Sequence, residues 1–116
     1  MIRHATFKDY DAVMDMMINF ANSSPYAPFK DPQYSDHYVR RLLDSFLKNG
    51  CILVGEKNEQ IVGMLIAQIQ QDAWLPHVKT MKEIAWWVEP EHRMSSLGYR
   101  LLKKYVEVGK ELGLSR

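Results

Sequence analysis

A single cysteine, Cys51, leaves this 116-residue chain unable to form an internal disulfide or a cysteine metal cluster, and a lone thiol suits a reducing cytoplasm. Its neighbours Ile52-Leu53-Val54 mark a buried strand, where free cysteine behaves as a small hydrophobe. Charge of one sign is equally scarce: a formal net charge of +1 gives no bulk attraction to nucleic acid or to an acidic membrane, so an anionic ligand has to be held by local geometry. No stretch approaches the ~20 apolar residues that span a bilayer, and Met1-Ile2-Arg3-His4-Ala5-Thr6 lacks the apolar core of a signal peptide. The expected location is the cytoplasm. There is no repeat, no low-complexity tract, no His-x-x-x-His, no acidic triplet at ligand spacing and no nucleophile constellation, so neither a metal site nor covalent catalysis has support.

What is present is a soluble balance of 47% hydrophobic and 25% charged residues in one domain spanning residues 1–116, with elements alternating in mixed α/β order. Met1 to Ala5 reads as a short strand. Thr6, with Asp9 three residues on, resembles a capping box and predicts a helix from Phe7. Tyr10, Val13, Met14, Met17, Ile18 and Ala21 recur at helical spacing and form its inner stripe. Asn22 to Tyr34 is aperiodic and proline-rich, a loop of the kind that shapes a substrate pocket. Ser35 caps a second helix whose stripe is Val39, Leu42, Leu43, Phe46 and Leu47, ending at Asn49-Gly50 with the glycine in the left-handed conformation. Cys51–Gly55 and Ile61–Gln70 read as an antiparallel hairpin around a polar turn, and Gly63 hints at a bulge or close approach. A loop over Gln71–Lys79 precedes the strand Glu83–Val88. Leu97, Leu101, Leu102, Tyr105 and Val106 trace a last helix to about Leu112, with Gly113 as its cap.

The most informative segment joins that strand to that helix: Val88-Glu89-Pro90-Glu91-His92-Arg93-Met94-Ser95-Ser96-Leu97-Gly98. A strand end, a tight loop of small residues and a helix N-terminus make an anion cradle, because first-turn N–H groups lack intrahelical partners and the helix dipole is positive there. Trp86 and Trp87, adjacent on a strand, must point to opposite faces.

In this order the elements resemble the GNAT superfamily of N-acetyltransferases over nearly the whole chain. The sharpest likeness is to the family's coenzyme motif, Gln/Arg-x-x-Gly-x-Gly/Ala entered through Val-x-Pro, here Val88-Glu89-Pro90 and Arg93 to Gly98 with Ser96 in place of the first glycine. The opening Ile2-Arg3-His4-Ala5-Thr6 and Ile61-Val62-Gly63 are weaker likenesses. The resemblance implies an α/β (α+β) fold with a mixed, mainly antiparallel sheet flanked by helices in the order β-α-α-β-β-β-α. It implies transfer of an acetyl group from acetyl-CoA, as co-substrate and without a metal, to an amine of a small molecule or peptide by direct attack in a ternary complex.

It further implies that backbone N–H groups of Met94, Ser95, Ser96, Leu97, Gly98 and Tyr99 hold the coenzyme pyrophosphate, that Arg93 orients the loop, and that Trp87 and Val88 pair with the pantetheine arm. Some family members place a carboxylate on the coenzyme strand as general base, which makes Glu83 the first candidate and His77, in the preceding loop, the second. An exposed strand-end carboxylate and a surface histidine are the alternatives, and a one-residue register change turns Glu83 to the other face. Family members usually continue with a further strand, so the chain reads as lacking the C-terminal third of the domain. The Ile84–Val88 edge is then expected to be covered by a second copy, a swapped partner or further polypeptide. The competing reading is a non-catalytic module of the same fold that binds coenzyme A or a protein partner.

Overall fold

The computed structural model describes residues 1–23 and 36–114. Among them, β1 (Ile2–His4), β2 (Gly50–Lys57), β3 (Gln60–Gln71) and β4 (Lys79–Val88) form one antiparallel sheet in the order β1-β2-β3-β4. Helices α1 (Tyr10–Asn22) and α2 (Asp36–Asn49) cover one face and α3 (Leu97–Glu111) covers the other. The predicted element order and fold class hold. No helix among the described residues is long and apolar enough to cross a membrane.

Two-sided cover explains why the inner strands read as continuous apolar runs rather than alternating ones. Along β2, Cys51 and Leu53 enter the core under α3, while Ile52 and Val54 enter the core under α1 and α2. Burial pushes the Cys51 thiol up to about 11, which leaves it protonated and unreactive at neutral pH. Gly55 and Gly63 pair across β2 and β3, and a Cβ on either would press into Leu97, at 2.6 Å and 3.1 Å respectively. The missing side chains form a socket that seats Leu97, the first residue of α3. The hint of close approach at Gly63 is thus correct, and a register shift beside it leaves Val62 as the extra residue on β3.

Several boundaries differ from the sequence reading. Phe7–Asp9 is a 3₁₀ turn, and the α-helix starts only at Tyr10. The inner face of α1 is rotated toward Met16, which is as buried as Val13. Gly50 is not a left-handed cap; it opens β2, where an added Cβ would lie 2.5 Å from the Ala67 carbonyl oxygen, so backbone proximity requires glycine. β4 begins four residues early, at Lys79, because Asp72 Oδ2 accepts the N–H groups of Trp74 (2.9 Å) and Leu75 (2.8 Å) and tightens the loop. Gly113 does cap α3: at φ 68° it donates to Lys110 O, while Leu114 N–H reaches Gly109 O. The Ser35 cap and most of the Asn22–Tyr34 loop lie outside the described residues; Asn22 itself ends α1.

The β2–β3 turn is two residues long, with Asn58 and Glu59 both at positive φ (52° and 64°). Asparagine tolerates that region and glutamate does not. Glu59→Gly is therefore expected to raise unfolding free energy by about 0.5–1 kcal/mol, read by urea denaturation. A loss of stability would contradict the turn assignment.

Candidate functional site

β4 is an edge of the sheet, and a groove runs along it under α3. Its upper part, about 450 Å³, is lined by Trp86, Val88, Arg93, Ser95, Gly98, Tyr99 and Leu102. Its lower part, about 740 Å³, extends past Trp86 to Met81, Glu83 and Tyr105. Trp86 faces this groove and Trp87 faces the opposite core, as their adjacency requires.

The loop between β4 and α3 hangs from two anchors. At one end Glu89 N–H donates to Val62 O (2.9 Å) and its carboxylate accepts from Asn19 Nδ2 (3.2 Å). At the other end Leu97 sits in its glycine socket. Between them Pro90–His92 makes a 3₁₀ turn with proline at its first position, and Ser95 folds back with both its N–H (3.2 Å) and its hydroxyl (2.6 Å) donating to His92 O.

The start of α3 then presents its donors. Leu97 N–H takes the Ser95 hydroxyl at 3.3 Å, and Arg100 N–H bonds to Ser96 O at 2.9 Å. Among the described residues no carbonyl takes the N–H of Gly98 or Tyr99, and Gly98 lines the groove. A Cβ on Gly98 would meet only Val88 and Trp86, at ordinary contact distances of 3.6 and 3.9 Å. Internal packing therefore does not demand glycine here, whereas close approach of a ligand to the backbone would. Ser96 sits at φ −80°, so the place where the motif has its first glycine needs no left-handed residue. Met94, almost wholly exposed, packs on nothing in the cradle.

Arg93 binds the strand end rather than projecting into solvent. Its Nε donates to Val88 O (2.9 Å), and its guanidinium lies 4.5 Å from the centre of the Trp87 ring. Phe20 meets that ring edge-on at 6.3 Å. The Trp87 indole N–H is buried without a partner among the described residues, so the residue contributes its ring faces rather than a hydrogen bond.

The ladder separates Trp87 from Val88. Because Glu89 N–H reaches Val62 O, the pairing makes Val88 and Trp86 point their backbone groups away from β3, toward the open edge, while Trp87 points its own at β3. Edge pairing by the Trp87 backbone, expected from the sequence, is thus not available in this sheet; Val88 N–H is, its carbonyl being held by Arg93.

Glu83 owes its position to a bulge. Ile66 pairs with Ala85 and Ala67 with Glu83, leaving Ile84 unpaired and reversing the alternation below it. Glu83 consequently lines the groove on the same face as Trp86, about 17 Å along the strand from Val88 at ordinary strand rise. His77 is exposed in the Asp72–Val78 loop, beyond the start of β4. The structure therefore joins Glu83 and the cradle through one groove and leaves His77 outside it. Leu102, absent from the sequence-derived site, lines both parts; its place in the helical stripe revealed an apolar residue but not that the stripe overhangs an open edge.

Residues 14–116 match the Acetyltransferase (GNAT) family. The chain belongs to that family. Solved GNAT-fold structures superpose on nearly all of it. The ribosomal-protein-alanine N-acetyltransferase of Brucella melitensis biovar Abortus 2308 does so with a TM-score of 0.78 at 14% identity, over 99% of this chain and 74% of that one. An acetyltransferase from Vibrio fischeri gives 0.76 at 16% identity, over 99% and 90%. An aminoglycoside acetyltransferase from an uncultured soil metagenomic sample gives 0.73 at 14%, over 99% and 72%. At such identities the likeness speaks for the fold, while the family match carries acetyltransferase membership. A search of curated proteins found no match.

Proposed function

We propose that this chain transfers an acetyl group from acetyl-CoA to an amine of a small molecule or peptide, in a ternary complex and without a covalent enzyme intermediate. The carrying observation is the start of α3, where Gly98 and Tyr99, whose N–H groups take no carbonyl among the described residues, line a groove that continues along the open edge of β4. These residues fit a pyrophosphate: the donors are backbone, the helix dipole adds positive potential, and Gly98 leaves the approach clear. Arg93, Met94, Ser95, Ser96 and Leu97 shape the loop that presents these donors. Of its N–H groups, that of Ser95 is already committed to His92 and that of Leu97 to the Ser95 hydroxyl.

When bound, acetyl-CoA supplies a thioester whose carbonyl carbon accepts the amine. The protein's part is to align two reactants, the largest single advantage open to such a site. Val88 N–H faces the edge along which the pantetheine arm would lie. Glu83, turned into the groove by the Ile84 bulge, removes the ammonium proton directly or through water, whereas His77 lies outside that groove. The named activities of the aminoglycoside and ribosomal-protein relatives support an amine acceptor. The lone buried Cys51 suits a cytoplasmic setting. A second copy or further polypeptide would cover the edge, where Ile84 and Trp86 are 37% and 40% exposed.

Thermal unfolding with saturating acetyl-CoA tests this reading. Stabilisation by about 2–3 kcal/mol is expected at a hundredfold excess over Kd, with none from ATP at the same concentration. Thiol release across a panel of amines then distinguishes turnover from binding alone. Stabilisation without release from any amine would favour the non-catalytic module, and no stabilisation would remove the coenzyme assignment.

A further inference from the structure

The coenzyme loop is gripped from the far side of the sheet by a helix that does not line the groove. Asn19 and Phe20, neighbours in the last turn of α1, reach the loop at two places: Asn19 Nδ2 donates to Glu89 Oε1 at 3.2 Å, and the Phe20 ring abuts Trp87, whose face carries the Arg93 guanidinium. Arg93 in turn holds Val88 O. Glu89 is the point at which the chain leaves β4, and between it and Leu97 the loop is tied back to the strand through Arg93, held by Val88 O and the Trp87 ring. We propose that Asn19 and Phe20 are positioning residues for coenzyme binding, locking the 89–98 loop in its competent geometry through Glu89 and through Trp87 and Arg93.

The physical case rests on population. A loop that occupies its competent arrangement only part of the time binds more weakly by that fraction, so a clamp remote from the ligand tightens affinity without touching it. The last turn of α1 carries no basic residue, so the neutral Asn19 amide is what that turn offers the Glu89 carboxylate. The proposal rests on the coenzyme assignment above, and its test separates the two.

Affinity for acetyl-CoA is measured by titration calorimetry for the wild-type chain and for Asn19→Asp, Phe20→Ala and the double variant Asn19→Asp with Glu89→Gln. Asn19→Asp sets two carboxylates against each other and should weaken binding about fivefold to tenfold at low salt, and less at 0.5 M salt. The double variant restores a donor and an acceptor with their places exchanged, and affinity should return to within about twofold of wild type. Phe20→Ala should weaken binding about threefold to tenfold without salt dependence. Thermal midpoints of the same proteins separate the clamp from a general loss of stability: each variant should stay folded at the titration temperature while its affinity falls, and the exchange should restore that affinity. Wild-type affinity in both Asn19→Asp and Phe20→Ala, or failure of the exchange to rescue, would overturn the proposal while leaving the coenzyme site intact. No binding by the wild-type chain would overturn both.

Discussion

Gly98→Asp is expected to weaken acetyl-CoA binding at least about a hundredfold while leaving the fold at least as stable. The substitution sets a carboxylate at the second residue of α3, in the space where the pyrophosphate would approach the free N–H groups of Gly98 and Tyr99. Coulomb repulsion between a carboxylate and a phosphate at about 4 Å, partly shielded from water, is worth several kcal/mol, and each 1.4 kcal/mol is tenfold in affinity. Stability should move the other way. The Cβ meets Val88 and Trp86 only at contact distances, glycine is a poor helix former, and a negative charge in the first turn complements the helix dipole. Gly98→Ala is the graded control: it gains helix propensity with no added charge and narrows the cradle by one methyl. Calorimetric affinity beside thermal midpoints for the three proteins checks this. Retained affinity in Gly98→Asp would show that the anion does not bind at the start of α3.

The second large effect concerns the fold. Arg3→Ala is expected to cost about 2–3 kcal/mol at neutral pH, because it strips the partner from a buried carboxylate. Arg3 spans three elements: its guanidinium takes both oxygens of Asp9 (2.7 and 2.8 Å) in the 3₁₀ turn, and its Nε donates to Glu56 (2.9 Å) on β2. Asp9 is 6% exposed and also accepts from Thr6 N–H at 2.8 Å. The Arg3 guanidinium holds the Asp9 carboxyl well below its ordinary 3.8, at about 2.

The sign of the pH dependence follows from that depression. Asp9 binds its proton more readily in the unfolded chain, so its contribution is complete above about pH 4 and is lost as pH falls toward 2. Wild-type and Arg3→Ala stabilities, measured by urea denaturation, should therefore differ most near pH 7 and converge toward pH 2. A difference that stayed constant across that window would assign the loss to packing of the arginine stem.

Much of the site was legible because it is local. The run from Val88 to Gly98 places strand end, proline turn, small residues and helix start in consecutive positions, and each acts through its own backbone. Thr6 with Asp9, and Gly113, were readable for the same reason: a cap bonds to residues within one turn. The stripes of α2 and α3 followed from helical periodicity. The stripe of α1 was less legible, being turned toward Met16, because an adjacent element and not the helix itself chose its buried face.

The sequence by itself determined the order of elements, the family likeness and the place of the candidate anion cradle, because propensity, capping and helix-terminal polarity are properties of neighbours in the chain. Tertiary structure alone decided which way Glu83 points, since the Ile84 bulge exists only relative to β3. It decided that Gly50 serves close approach to Ala67, that Val88 and not Trp87 faces the open edge, and that Asn19 and Phe20 contact Glu89 and Trp87 from the other side of the sheet. Strand register and contacts between residues 70 positions apart are set by packing one surface on another, and no local pattern records them.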